Sequence, residues 1–214
     1  LSKEYLSTFH SLIEEGKDRA LIKQLESLHA NDIALILNQI RRDDVHYLYR
    51  LLADDSRSEV LAELDEEVRE DLLSTLTSKE IAEDVIEGLA SDDAADIISE
   101  LSSEKIEEVF SHVKDKEVVS DVLSLLEYPE GTAGAMMAKE LVQVEETWSV
   151  SRAVREIRVQ SEDIENLYTI YVVDEKGKLT GRLSLQNLLL SSTSTRTPIS
   201  DIKDSDETVS INSN

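Results

Sequence analysis

The sequence predicts a multidomain chain: an all-α superhelical array of short helices, followed by a small α+β domain. Three observations carry this. Only two of the six Gly precede residue 129, whereas both Pro (Pro129 and Pro198) and the other four Gly lie from there onward, so composition shifts near Pro129–Gly134. Before that point, apolar residues recur at three- and four-residue spacing, the period of an amphipathic helix. After it come β-branched and aromatic runs such as Leu167-Tyr168-Thr169-Ile170-Tyr171-Val172-Val173, which predict strands.

The helical part is built on a repeat. Its segments end on Ile40, Leu52, Leu64, Leu76, Leu89, Leu101 and Val113, at spacings of 12, 12, 12, 13, 12 and 12. Seven or eight residues earlier on the same helical face stand Ile33, Val45, Val68, Ile81, Ala94 and Ile106, while position 57 holds Arg57, so that segment leans on Val60 and Leu61. Each unit opens with a polar cluster, among them Asn31-Asp32, Asp43-Asp44, Asp54-Asp55 and Ser91-Asp92-Asp93, suited to cap a helix N-terminus and to complement its dipole. Helices of about ten residues cannot stand alone in water. Stacking neighbours buries their stripes, hence an array.

The second part predicts a strand at Leu141–Val144, a helix through Ala153, Val154 and Ile157, strands Leu167–Val173 and Leu179–Leu185 around the turn Asp174–Lys178, and a helix Gln186–Leu190. The expected boundaries are 1–127 for the helical domain, 128–137 for a linker, 138–197 for the α+β domain and 198–214 for the incomplete start of a second such unit.

Charge narrows the function. With 46 Asp+Glu against 22 Lys+Arg the net charge is −24, which would repel nucleic acid; 40% apolar residues still suffice for a core. Cysteine is absent, which excludes disulfides, thiolate nucleophiles and thiolate metal sites. Four scattered His without an HExxH pattern give no histidine zinc site, and no glycine-rich phosphate loop occurs. No nucleophile stands beside a base, so no enzyme is predicted; a paired-carboxylate glycosidase would want more than 4% aromatic residues and a single Trp. No apolar run reaches membrane-helix length, and the start at Leu1 has neither a signal peptide nor a Met, as expected of a cytoplasmic fragment.

The acid is densest where cations are missing. No Lys or Arg lies between Lys79 and Lys105, a stretch that holds Glu80, Glu83, Asp84, Glu87, Asp92, Asp93, Asp96, Glu100 and Glu104. Asp92 and Asp96 are four apart on one helical face and repel each other unless a cation intervenes. Oxygen-only ligands favour Mg²⁺ or Ca²⁺ over zinc or copper, and no DxDxDG loop singles out calcium. Most such carboxylates in proteins only cap helices or face solvent.

The VVDEKGKLTGRLSLQNLL stretch, with its strand, helix, strand, strand, helix order, resembles a CBS module. Together with the acidic array and the connecting YPEGTAGAMM, it resembles the cytosolic region of the MgtE family of magnesium transporters. That resemblance implies a regulatory sensor on the cytoplasmic face of the membrane, a homodimer joined to its own transmembrane pore domain, with Mg²⁺ bridging acidic surfaces of the N and CBS domains to favour a compact, pore-closing state. It also implies metal ligands at Glu59, Asp92 and Asp96, with Asp93 as neighbour. CBS modules often hold adenine nucleotides; the matching positions are Tyr168, Ser184 as the hydroxyl and Asn187 where an acid is usual. The rival expectation is an acidic helical scaffold for a basic protein partner, with the CBS unit as a dimerisation or nucleotide module.

Overall fold

The computed structural model describes residues 3–129, 131–161, 164, 167, 169–190, 194–204 and 212–213. The chain divides into two compact units between Met137 and Ala138.

In the first unit the repeat becomes helices α1 to α10: Lys3–Glu14, Asp18–Leu25, Ala30–Leu37, Arg42–Leu51, Asp54–Ala62, Glu66–Thr75, Ser78–Ile81, Ser91–Ser99, Ser103–His112 and Lys116–Leu126. The periodic apolar residues supply the core: Ile33, Val45, Val68, Ile81 and Ala94 are buried. Leu52, Leu64, Leu76 and Val113 are buried where each helix gives way to the next. Alternate helices pack together: α2 on α4, α3 on α5, α4 on α6, α7 on α9 and α8 on α10. Polar bonds follow the same two-unit step. Arg42 Nη2 donates to Glu67 Oε1 at 2.7 Å, Asp65 N–H donates to Asn38 Oδ1 at 3.1 Å, and Arg69 Nε donates to Glu100 Oε1 at 3.0 Å.

The single 13-residue spacing has a structural counterpart. After α7 the chain runs Ala82–Ile86 as a π-turn, closed by Glu87 N–H on the Ala82 carbonyl at 3.0 Å. A π-turn absorbs one extra residue without ending the helix. It turns Asp84 inward, where the carboxylate accepts a 2.7 Å bond from the Tyr49 hydroxyl of α4; Tyr49 is 1% and Asp84 6% exposed.

Arg57 takes up the exceptional position in the repeat. Its guanidinium contacts Asp54 Oδ1 at 3.0 Å and donates to the Arg50 carbonyl, and its charge offsets that of Asp84. Gly88 seals this corner: a Cβ there would lie 2.0 Å from the Ser58 hydroxyl of α5.

One expectation about the helix starts needs correcting. The acidic clusters do not cap most helices. The residues at the caps of α3, α4, α5 and α8 are His29, Arg41, Ala53 and Ala90, none with a side-chain cap bond, and the acids fall one to three residues later. There they act through the helix dipole. Among the helices of this unit with a described cap residue, side-chain capping occurs at Thr77, Ser102 and Asp115. A carboxylate inside the first turn faces the helix end but cannot fold back onto the amides that a cap residue reaches.

The second unit carries β1 (Val142–Glu145), α11 (Val150–Gln160), β2 (Ile170–Val173), β3 (Leu179–Leu183) and α12 (Leu185–Leu190). The sheet order is β1-β2-β3, with β1 parallel to β2 and β2 antiparallel to β3. Val142, Val144, Ile170, Val172 and Leu183 face a core shared with Ala153, Ile157, Leu188 and Ile199. The Gln160 side chain bonds both the N–H and the carbonyl of Gln143, which covers polar groups on the outer edge of β1.

Strands β2 and β3 are shorter than expected. Strand β3 ends at Leu183 because the Ser184 hydroxyl accepts from Asn187 N–H at 3.0 Å and opens α12. The chain beyond α12 then folds back on this unit. Ser200 N–H donates to the Glu146 carbonyl, Asp204 N–H to the Arg182 carbonyl, and Ile199 is buried.

Candidate metal-binding surface

The expected metal ligands fall on α5 and α8. On α5 the inward face is Ser58, Val60 and Leu61, which leaves Glu59 exposed on the other side. On α8 the inward face is Ala94, Ala95, Ile97 and Ile98, so Asp93 and Asp96 are exposed and Asp92 is half-buried. The apolar period thus turns the acids of each helix away from its packed face.

The structure adds a residue that sequence reasoning did not select, Glu63, one position past the end of α5. Partial desolvation, followed by the charges of Asp92, Asp96 and Glu63, pushes the Asp93 carboxyl above its ordinary value. The charges of three other carboxylates, one of them from beyond the end of α5, therefore reach Asp93. Only Asp92 and Asp96 could be read from spacing, because Glu63 approaches through packing of distant helices.

Much of the remaining acid in the cation-poor stretch is matched locally. Glu80 closes a capping box with Thr77, which holds its carboxyl below the usual range. Glu83 pairs with Lys79 at 3.1 Å, Asp84 with Tyr49, and Glu100 with Arg69. The repulsion concentrates at the start of α8, whose cap residue Ala90 offers no polar side chain.

The donor set is carboxylate oxygen, suited to Mg²⁺. Among the described residues no three carboxylates or imidazoles converge tightly enough to enclose an ion. What the surface offers is concentrated negative charge rather than a cage. It suits a cation that keeps most of its water, as Mg²⁺ does.

In the second unit Ser184 and Asn187 come together through the cap of α12, and Asn187 Nδ2 donates to Asp204 Oδ1 at 3.0 Å. Tyr168 lies outside the described residues. Asp204, which sequence reasoning did not select, sits where Asn187 can reach a carboxylate. Nearby, Lys203 Nζ at 2.7 Å, with Thr180, holds the Glu146 carboxyl below its ordinary range.

Residues 28–131 match the MgtE intracellular N domain, and residues 133–193 match the CBS domain. A crystal structure of the cytosolic domain of the Mg²⁺ channel MgtE in complex with ATP is 30% identical. It superposes with a TM-score of 0.82 over 94% of this chain and 81% of that one. This chain belongs to the MgtE family. The magnesium transporter MgtE of Thermus thermophilus is 34% identical over 185 residues, which is 86% of this chain and 41% of that protein. The MgtE of Enterococcus faecalis is 36% identical over 67 residues, 31% of this chain and 15% of its own length. The chain therefore spans about two-fifths of the Thermus relative. The soluble part of a magnesium transporter, 22% identical with a TM-score of 0.77 over 95% of this chain and 79% of that one, shares the fold. Among the described residues no helix is long and apolar enough to cross a membrane.

Proposed function

We propose that this chain is the cytosolic Mg²⁺-sensing part of an MgtE transporter. One observation carries the reading: Asp93 shares the outward side of α8 with Asp96, and partial desolvation, reinforced by repulsion from Asp92, Asp96 and Glu63, pushes its carboxyl above the ordinary range. Partly hydrated Mg²⁺ relieves that repulsion and bridges the surface to a facing acidic one, so a compact state gains population as Mg²⁺ rises. Transport belongs to a pore domain, and the working form is a homodimer. With few direct ligands per ion, affinity is weak, on the order of 10⁻⁴–10⁻³ M. Several ions together steepen the response, because each adds its own binding free energy to the compact state.

A scattering and limited-proteolysis titration over millimolar Mg²⁺ at fixed ionic strength tests this. Compaction should be selective for Mg²⁺, and Asp92→Asn with Asp96→Asn should weaken it. Equal compaction by K⁺ would reduce the effect to screening. A partner-binding scaffold would instead lose capture of a basic protein in the same variants while its Mg²⁺ response stayed unchanged.

The Ser184, Asn187 and Asp204 grouping favours a second ligand, an adenine nucleotide on the CBS unit. The ATP complex of the 30%-identical structure supports this reading. Calorimetric titration with ATP, repeated on Ser184→Ala, is its test.

A further inference from the structure

The π-turn lies between the two helices that carry the acidic surface. It packs on α5 and on α8, and α8 begins five residues after it ends. Three features hold it. Asp84 accepts from the buried Tyr49 hydroxyl at 2.7 Å. Gly88 lies so close to Ser58 that no Cβ fits between them. Arg57, pinned to Asp54 at 3.0 Å, supplies positive charge to the buried carboxylate.

Neither Tyr49 nor Asp84 belongs to the exposed acidic face, and a buried carboxylate is costly unless hydrogen bonds and opposite charge compensate it, as Tyr49 and Arg57 do here. A regular α-turn would lack the extra residue of the 13-residue spacing, so every residue after it, Asp92 and Asp96 included, would be set one position back relative to α4 and α5.

We propose that the buried Tyr49–Asp84 pair is a positioning device: by holding the π-turn against α4 and α5, it fixes where α8 presents Asp92 and Asp96 relative to Glu63 at the end of α5. Its consequence for sensing rests on the Mg²⁺ reading above; its geometry does not.

The test uses the full chain. Tyr49→Phe removes the donor, whereas Asp84→Asn keeps an acceptor for the tyrosine and serves as the conservative rescue. Tyr49→Phe should raise the half-saturating Mg²⁺ concentration about three- to tenfold, and Asp84→Asn less than about twofold, in chains that circular dichroism reports as folded before Mg²⁺ is added. In Mg²⁺-free buffer, Tyr49→Phe should speed exchange of the Ala94 amide, bonded to the Ala90 carbonyl at 2.9 Å, about tenfold, while the Leu21 and Ile33 amides of α2 and α3 keep their rates.

Unchanged exchange at Ala94, or an equal rise at all three amides, overturns the positioning role. So does an unchanged Mg²⁺ midpoint in a chain that responds to Mg²⁺. If the unaltered chain responds to Mg²⁺ no more than to K⁺, the sensing reading fails, and exchange alone decides the positioning. Should Tyr49→Phe fail to fold, Tyr49→Phe with Asp84→Leu leaves neither partner with an unmatched polar atom and carries the same expectations.

Discussion

Asp84 and Asp93 lie nine residues apart, and both carboxyls are pushed above their ordinary range, first by desolvation and then under opposite influence from their neighbours. Asp84 is raised by burial, and the protein answers from within: Tyr49 donates to it and Arg57 balances its charge. Asp93 is open to solvent, and like charges from Asp92, Asp96 and Glu63 reinforce its partial desolvation. The interior carboxylate is thus satisfied by the fold, whereas the surface group accumulates charge that an external cation can offset.

The interior half of this comparison breaks most sharply at Gly88. A methyl group there meets Ser58 Oγ at 2.0 Å, Ser58 Cβ at 2.8 Å and the Asp84 carbonyl at 3.0 Å. Gly88→Ala should cost about 1–3 kcal/mol in urea unfolding, the usual penalty of overpacking. Ser58→Gly in the same chain should restore part of it by removing two of the three contacts. A Gly88→Ala chain as stable as the parent would mean that the turn is not held against α5.

The surface half is tested by the ion. Mg²⁺ at ten times its dissociation constant should stabilise the chain by about 1.4 kcal/mol per site in thermal unfolding. Asp92→Asn with Asp96→Asn should lose most of that gain, and Tyr49→Phe only part of it. Na⁺ or K⁺ at matched ionic strength should leave the midpoint nearly unmoved.

The fold was legible where periodicity governs. The twelve-residue spacing located the buried residues, because each helix must turn the same face inward. The thirteenth residue was visible too, but not its meaning: nothing local says whether an insertion loops out or widens a helical turn. That depends on Tyr49, 35 residues away, offering a hydroxyl to Asp84. Glu63 escaped for the same reason. Asp92 and Asp96 were found by helical spacing, whereas a residue beyond the end of α5 reaches Asp93 only through packing. The acidic clusters misled in a smaller way, since composition marks a helix start without saying which residue caps it.

That last point has its own test. Ser102→Ala, at a residue whose hydroxyl accepts the Lys105 N–H, should cost about 1 kcal/mol at any ionic strength. Asp32→Asn, inside the first turn of α3, should cost only a few tenths and fade as salt screens the dipole. If both lost equally and both responded to salt, capping and dipole effects could not be told apart here.

The smallest effect separates the two carboxyls most cleanly. Asp93 has a folded-state pKa above that of the unfolded chain, so the folded state holds its proton more tightly. Its contribution is therefore most favourable at low pH, is lost as pH rises through the raised value, and stays absent at neutrality. Asp93→Asn removes that loss. The variant should be more stable than the parent at pH 7 by a few tenths of a kcal/mol, the scale of one exposed like-charge contact. The difference should vanish below about pH 4, where both side chains are neutral. Added Mg²⁺ should also shrink it at pH 7, since the ion relieves the repulsion that the substitution removes. A gain that persisted at low pH would assign the effect to helix propensity rather than charge, and α8 would lose its claim to be the place where this chain meets a cation.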